Sequence, residues 1–81
     1  MPIEKAELYK ILDRIDKKFN KKVLEQKKEA YSSLAKSAAK IQEEYIESHH
    51  EALGNNKDKY IAELEDLAVA CIRAIISCER L

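Results

Sequence analysis

At 81 residues with zero formal net charge, the chain has room for one small domain, with none of the overall positive charge that marks many nucleic-acid binders. One Gly, one Pro, no Trp and 37% charged residues exclude a turn-rich β architecture and favour helices built from Ala, Leu, Ile, Glu and Lys. A core of this size contributes only a few kcal/mol, so self-association is expected to complete it.

The charge is unevenly spread. Residues 1–40 hold 11 Lys/Arg against 6 Asp/Glu, and residues 41–81 hold 4 against 9. Basic residues are not interleaved with aromatics, so no nucleic-acid partner is expected. The asymmetry suits complementarity within or between subunits, or a site offering both phosphate and metal contacts. The N-terminal "MPIEKAELYK" lacks the apolar region of a signal peptide, and no apolar run approaches the ~18 residues of a membrane span. Cys71 and Cys78, seven apart on one helix, are separated by about 10 Å and cannot pair with each other. The expectation is a cytoplasmic protein, without a membrane, with small buried thiols.

Pro2, Glu4 and Glu7 suit a helix start, and Leu8, Ile11, Leu12, Ile15 and Phe19 form an apolar stripe, predicting helix one over about 3–19. The pattern blurs through "FNKKVLEQKK", where a turn near Asn20 is expected, with one long bent helix as the alternative. Leu24, Tyr31, Leu34, Ala38, Ile41 and Tyr45 resume a stripe, predicting helix two over about 24–53. In "GNNK", Gly54 is expected in the left-handed position and Asn55 or Asn56 as the next cap. Helix three follows over about 57–79, apolar almost all round in "LAVACIRAIIS" and so expected to be central. The fold class is all-α: one domain over 1–81, a short antiparallel bundle of about three helices completed by oligomerisation.

The stretch "IQEEYIESHH" places Glu44 and Glu47 three apart on helix two, and "YIAELEDLA" places Glu63 and Asp66 three apart on helix three. Glu44 and Glu47, with Lys40 and Glu51, line the flank of helix two's apolar stripe. Lys59, Glu63, Asp66, Ala70, Arg73 and Ser77 share one narrow polar stripe on helix three. The pairs are symmetric about the loop, so antiparallel packing brings four carboxylates to one level. Their repulsion would be severe without divalent cations, and hard oxygen donors suit Mg²⁺ or Mn²⁺. A plain solvated face is the competing reading.

Glu44-x-x-Glu47, a spacer of 15 residues and Glu63-x-x-Asp66, with flanks "KIQEEYIE" and "YIAELEDLAVACIRAI", resemble the MazG-like all-α nucleoside triphosphate pyrophosphohydrolase family. The resemblance implies hydrolysis of a (d)NTP between the α and β phosphates to a nucleoside monophosphate and pyrophosphate. It makes Glu44, Glu47, Glu63 and Asp66 the Mg²⁺ ligands, with one of them a base toward water. Ile46 and Glu65 stand where the family often has Gly. Many members carry a fourth helix that helps to close the site; here either a partner subunit fills that role or catalysis has been lost.

Lys40, Lys59 and Arg73 are candidate substrate contacts; for Arg73 a structural salt bridge is the alternative. Adjacent His49 and His50 point about 100° apart and are read as exposed helix-end residues rather than ligands. The tyrosines are read as packing residues. Two alternatives stay open beside the enzyme: a non-catalytic module that binds nucleotides or a protein, and a plain oligomeric bundle whose acidic stripe pairs with a neighbour's basic half.

Overall fold

The computed structural model describes residues 2, 4–26 and 31–80. They form helices α1 (Lys5–Gln26), α2 (Leu34–Leu53) and α3 (Lys57–Arg80), with no strand among the described residues. The expected all-α architecture is what the chain adopts. No described helix is long and apolar enough to cross a membrane.

The boundaries differ from expectation in two places. No turn forms near Asn20: α1 continues unbroken to Gln26, since "NKKVLEQ" contains no Gly or Pro and its lysines are good helix formers. The second helix begins ten residues later than the expected 24, at Leu34. Ser33 sets that start, its extended backbone (φ −158°, ψ 161°) letting Oγ accept the Lys36 N–H at 3.1 Å. Ile3 and residues 27–30, which the expected helices included, lie outside the described residues.

The turn between α2 and α3 is built by its asparagines. Gly54 keeps an ordinary right-handed conformation (φ −75°), and Asn55 takes the left-handed position expected of the glycine (φ 55°). Asn55 N–H donates to the Ala52 carbonyl and Asn56 N–H to the Glu51 carbonyl, the paired bonds of a Schellman stop. Asn56 Oδ1 then accepts the Lys59 N–H at 3.1 Å and caps α3.

This short turn folds α2 back along α3. Tyr31, just before α2, donates its N–H to Ser77 Oγ near the far end of α3 at 2.8 Å. Helix α1 packs on the opposite reach of α3 and does not touch α2, so α3 is central, as its composition suggests.

The buried face of α2 is contrary to its expected apolar stripe, whereas the polar stripe of α3 faces α2 as its residues imply. On α2 the buried residues are Ser37, Glu44 and Ser48, whereas Leu34, Tyr45, Ile46 and Leu53 are exposed. On α3 the polar stripe is the inward face, with Ala70, Arg73 and Ser77 buried, while Ile61, Leu64, Ile72 and Ile75 remain exposed. Ser37, Ser48 and Ser77 satisfy their hydroxyls on their own helices, donating to the carbonyls of Leu34, Tyr45 and Arg73 at 2.8 Å each. They therefore act as small spacers at the α2–α3 contact. The thiols are more open than expected, Cys71 half-buried and Cys78 exposed, both free.

Among the described residues only Val69 and Ala70 are buried apolar residues. The chain exposes 6251 Å² where a monomer of its 9.3 kDa mass exposes about 5,000 Å². Its radius of gyration of 13.6 Å likewise exceeds the roughly 12 Å of a compact domain of this length.

Helix α1 is held to α3 by polar bonds around Glu65. Arg14 Nε donates to Glu65 Oε2 at 2.7 Å, and Lys18 Nζ lies 3.3 Å from Glu65 Oε1 while donating to the Ala62 carbonyl at 3.0 Å. Replacing Glu65 by Ala should cost roughly 1.5–3 kcal/mol, the range for hydrogen bonds to charged groups. In hydrogen–deuterium exchange the variant should lose protection in α1 while the α2–α3 hairpin keeps its own; equal loss in all helices would show that the hairpin depends on α1.

Candidate metal centre

The antiparallel hairpin brings three of the four sequence-identified carboxylates together. Glu44 from α2 meets Glu63 and Asp66 from α3, with one carboxylate oxygen of each within 4.8 Å of the others. Glu63 and Asp66 lie one turn apart on one face, and Glu44 faces them across the helix contact. Glu44 is only 5% exposed. One oxygen each of Glu44 and Glu63 (Oε2) is buried without a hydrogen-bond partner, which is costly for a group with open lone pairs.

Glu47 stands one turn further along α2, exposed at the rim. Its pKa is raised, first by desolvation and then by the neighbouring Glu63 carboxylate. Glu47 thus senses the cluster without being enclosed in it.

Two lysines approach from opposite sides. Lys40 Nζ lies 3.0 Å from Glu44 Oε1 and 3.7 Å from Glu43 Oε1. Desolvation pulls the Lys40 pKa down, but bonding to Glu44 and the glutamate charges more than offset it, and the pKa is raised. Lys18 of α1 lies 3.3 Å from Asp66 Oδ1, a contact that sequence reasoning missed because nothing in the local pattern ties residue 18 to residue 66. The clue was the excess of basic residues in the N-terminal half.

The other candidates lie apart from the carboxylates. Lys59 is exposed in the first turn of α3, one turn before Glu63. Arg73 is 2% exposed and its guanidinium lies over the Tyr31 ring, 4.4 Å from the centroid. That is a packed cation–π contact. His49 and His50 are exposed as expected, with His49 stacked on Tyr45. At the positions of the two expected glycines, Ile46 is exposed on α2 and Glu65 anchors α1.

Chemically, the arrangement offers a cluster of hard anionic oxygens partly balanced by ammonium groups. No family model, curated protein or solved structure matches the chain.

Glu47 and Glu65 shift in opposite directions, which separates their effects on stability. The folded protein holds the Glu47 proton more tightly than the unfolded chain, so this contribution is present below the ordinary carboxylate value and is lost as pH rises through the raised one. The Glu65 pKa is lowered, chiefly by the Arg14 hydrogen bond, against desolvation and with help from Lys18. Its contribution is complete above the ordinary value and is lost as pH falls through the lowered one. Melting temperatures in chelator should therefore decline on both sides of the ordinary carboxylate range. Glu47→Gln should remove only the decline on the alkaline side, and Glu65→Gln only that on the acid side; unchanged profiles would contradict the assignments.

Proposed function

We propose that the chain is a Mg²⁺-dependent nucleoside triphosphate pyrophosphohydrolase of the MazG-like type, working as a homo-oligomer. One observation carries the reading: the carboxylates of Glu44, Glu63 and Asp66 converge within 4.8 Å across two facing helices. The donor set fits a hard divalent cation, being all oxygen and anionic, with buried Oε2 atoms on Glu44 and Glu63 that have no other partner.

When bound, a divalent cation supplies charge neutralisation for the phosphates and a lowered pKa for water. Glu44, Glu63 and Asp66 would hold it. Glu47, accessible at the rim beside the cluster, takes the proton from the attacking water. The water oxygen bonds to the α-phosphorus, the α–β anhydride bond breaks, and pyrophosphate leaves with the bonding electron pair. Lys40, bonded to Glu44, flanks the cluster as a contact for the anionic substrate, and Lys59, exposed one turn before Glu63, is a more distant one. Arg73 is too enclosed for that role and instead supports the Tyr31 segment.

The exposed apolar faces support a second copy of the chain as the partner. Ile61, Leu64, Ile72 and Ile75 on α3, with Leu8, Ile11 and Leu12 on α1, are the residues to be covered.

A plain oligomeric bundle is the second reading, favoured by the Lys40–Glu44 and Lys18–Asp66 pairs, which neutralise part of the cluster. Pyrophosphate release from a panel of (d)NTPs with Mg²⁺ separates the two. The enzyme reading expects turnover that falls on the order of 100-fold in Glu44→Gln, Asp66→Asn and Glu47→Gln. No release above background, or variants matching wild type, would leave the bundle reading. Light scattering should give at least twice the 9.3 kDa chain mass, reduced toward one chain by Ile72→Glu; a monomeric wild type would rule out the second copy.

A further inference from the structure

Asp66, one of the clustered carboxylates, also lines a depression formed with Lys18, Lys21, Lys22 and Glu25 of α1. The lysines lie at i, i+3 and i+4, so they share one face of the helix within a single turn. Like charges at that spacing destabilise a helix, and Glu25 is the single acidic residue that α1 contributes there.

The lysines of this region fall into two groups. Lys17 is paired with Asp13 at 3.0 Å, and Lys18 is bonded to Ala62, Glu65 and Asp66. Lys21 and Lys22 have no ion-pair partner among the described residues. Lys22 is half-buried and Lys21 exposed. An ordinary solvated lysine face projects into water from a convex surface. These two instead line a concavity that ends on one of the clustered carboxylates.

We propose that Lys21 and Lys22 form an anion subsite for the distal, β and γ, phosphates of the substrate and hence for the pyrophosphate product, with Lys18 linking it to Asp66. This rests on the pyrophosphohydrolase reading of the carboxylates. A polyphosphate engaged at the cluster through its α-phosphate end reaches α1 with its more highly charged end. Charge-assisted hydrogen bonds from two uncommitted ammonium groups then oppose the charge accumulating on the leaving group.

The test is calorimetric titration with inorganic pyrophosphate in the presence of Mn²⁺, alongside a separate Mn²⁺ titration read by the electron paramagnetic resonance of the free ion. In the Lys21→Gln/Lys22→Gln double variant, pyrophosphate should bind about tenfold or more weakly, with Mn²⁺ affinity and melting temperature unchanged. The Lys21→Arg/Lys22→Arg variant should retain most of the affinity. A Lys5→Gln/Lys10→Gln control, which removes equal charge elsewhere on α1, should bind as wild type does. Equal pyrophosphate affinity in the Gln double variant and wild type, or equal weakening in the control, overturns the subsite while leaving the carboxylate site standing. If Mn²⁺ itself fails to bind wild type, the carboxylate reading falls and the subsite falls with it.

Discussion

Carboxylates gathered at the contact between two helices repel one another, and water cannot fully solvate the one that is buried. Glu44 is in that position, enclosed by α3 and facing Glu63 and Asp66. The geometry that produces it is the close fit of α2 on α3, in which serines and an alanine take the inward positions that larger side chains would occupy in an ordinary bundle. Uncompensated, such a cluster costs several kcal/mol. Lys40 and Lys18 supply part of the counter-charge from either side. The proposed cation would supply the rest, and the feature that weakens the free chain would then serve as a receptor for a small hard ion.

The polar interior has a second consequence. With the inward stripe of α3 given to Ala70, Arg73 and Ser77, the apolar residues of that helix are left on its outer surfaces. The hairpin alone cannot supply a hydrophobic core comparable to that of a typical domain, and α1 adds little, being attached largely through Glu65. Association with another copy would bury what the fold leaves open, and stability and assembly would then be one equilibrium. The carboxylate cluster and the exposed apolar residues thus lie on two sides of the same helix.

Helix content, the hairpin turn and the central place of α3 were legible from composition, periodicity and the single Gly-Asn-Asn break. The pairing of Glu44 with Glu63 and Asp66 was legible as well, because antiparallel geometry about a short turn fixes which residues face each other. Three features escaped. Helix orientation was read from hydrophobicity alone, which assumes that apolar stripes face inward within one chain; here Leu34 and Tyr45 are exposed and Ser37, Glu44 and Ser48 are buried. The turn expected near Asn20 rested on a blurred pattern, whereas lysines on a half-exposed helix blur periodicity without breaking it. The contact of Lys18 with Asp66 spans almost the whole chain, and local spacing carries no information about it.

The central claim is that the convergent carboxylates of α2 and α3 form a divalent-cation site. The most direct measurement is a crystal structure of the wild-type protein grown with Mn²⁺, with anomalous scattering recorded above the manganese edge. The account predicts an anomalous peak ligated directly by Glu44, Glu63 and Asp66 and lost from crystals of Glu44→Gln. An ordered cluster with no anomalous density, its oxygens satisfied instead by Lys40 and Lys18, would contradict it.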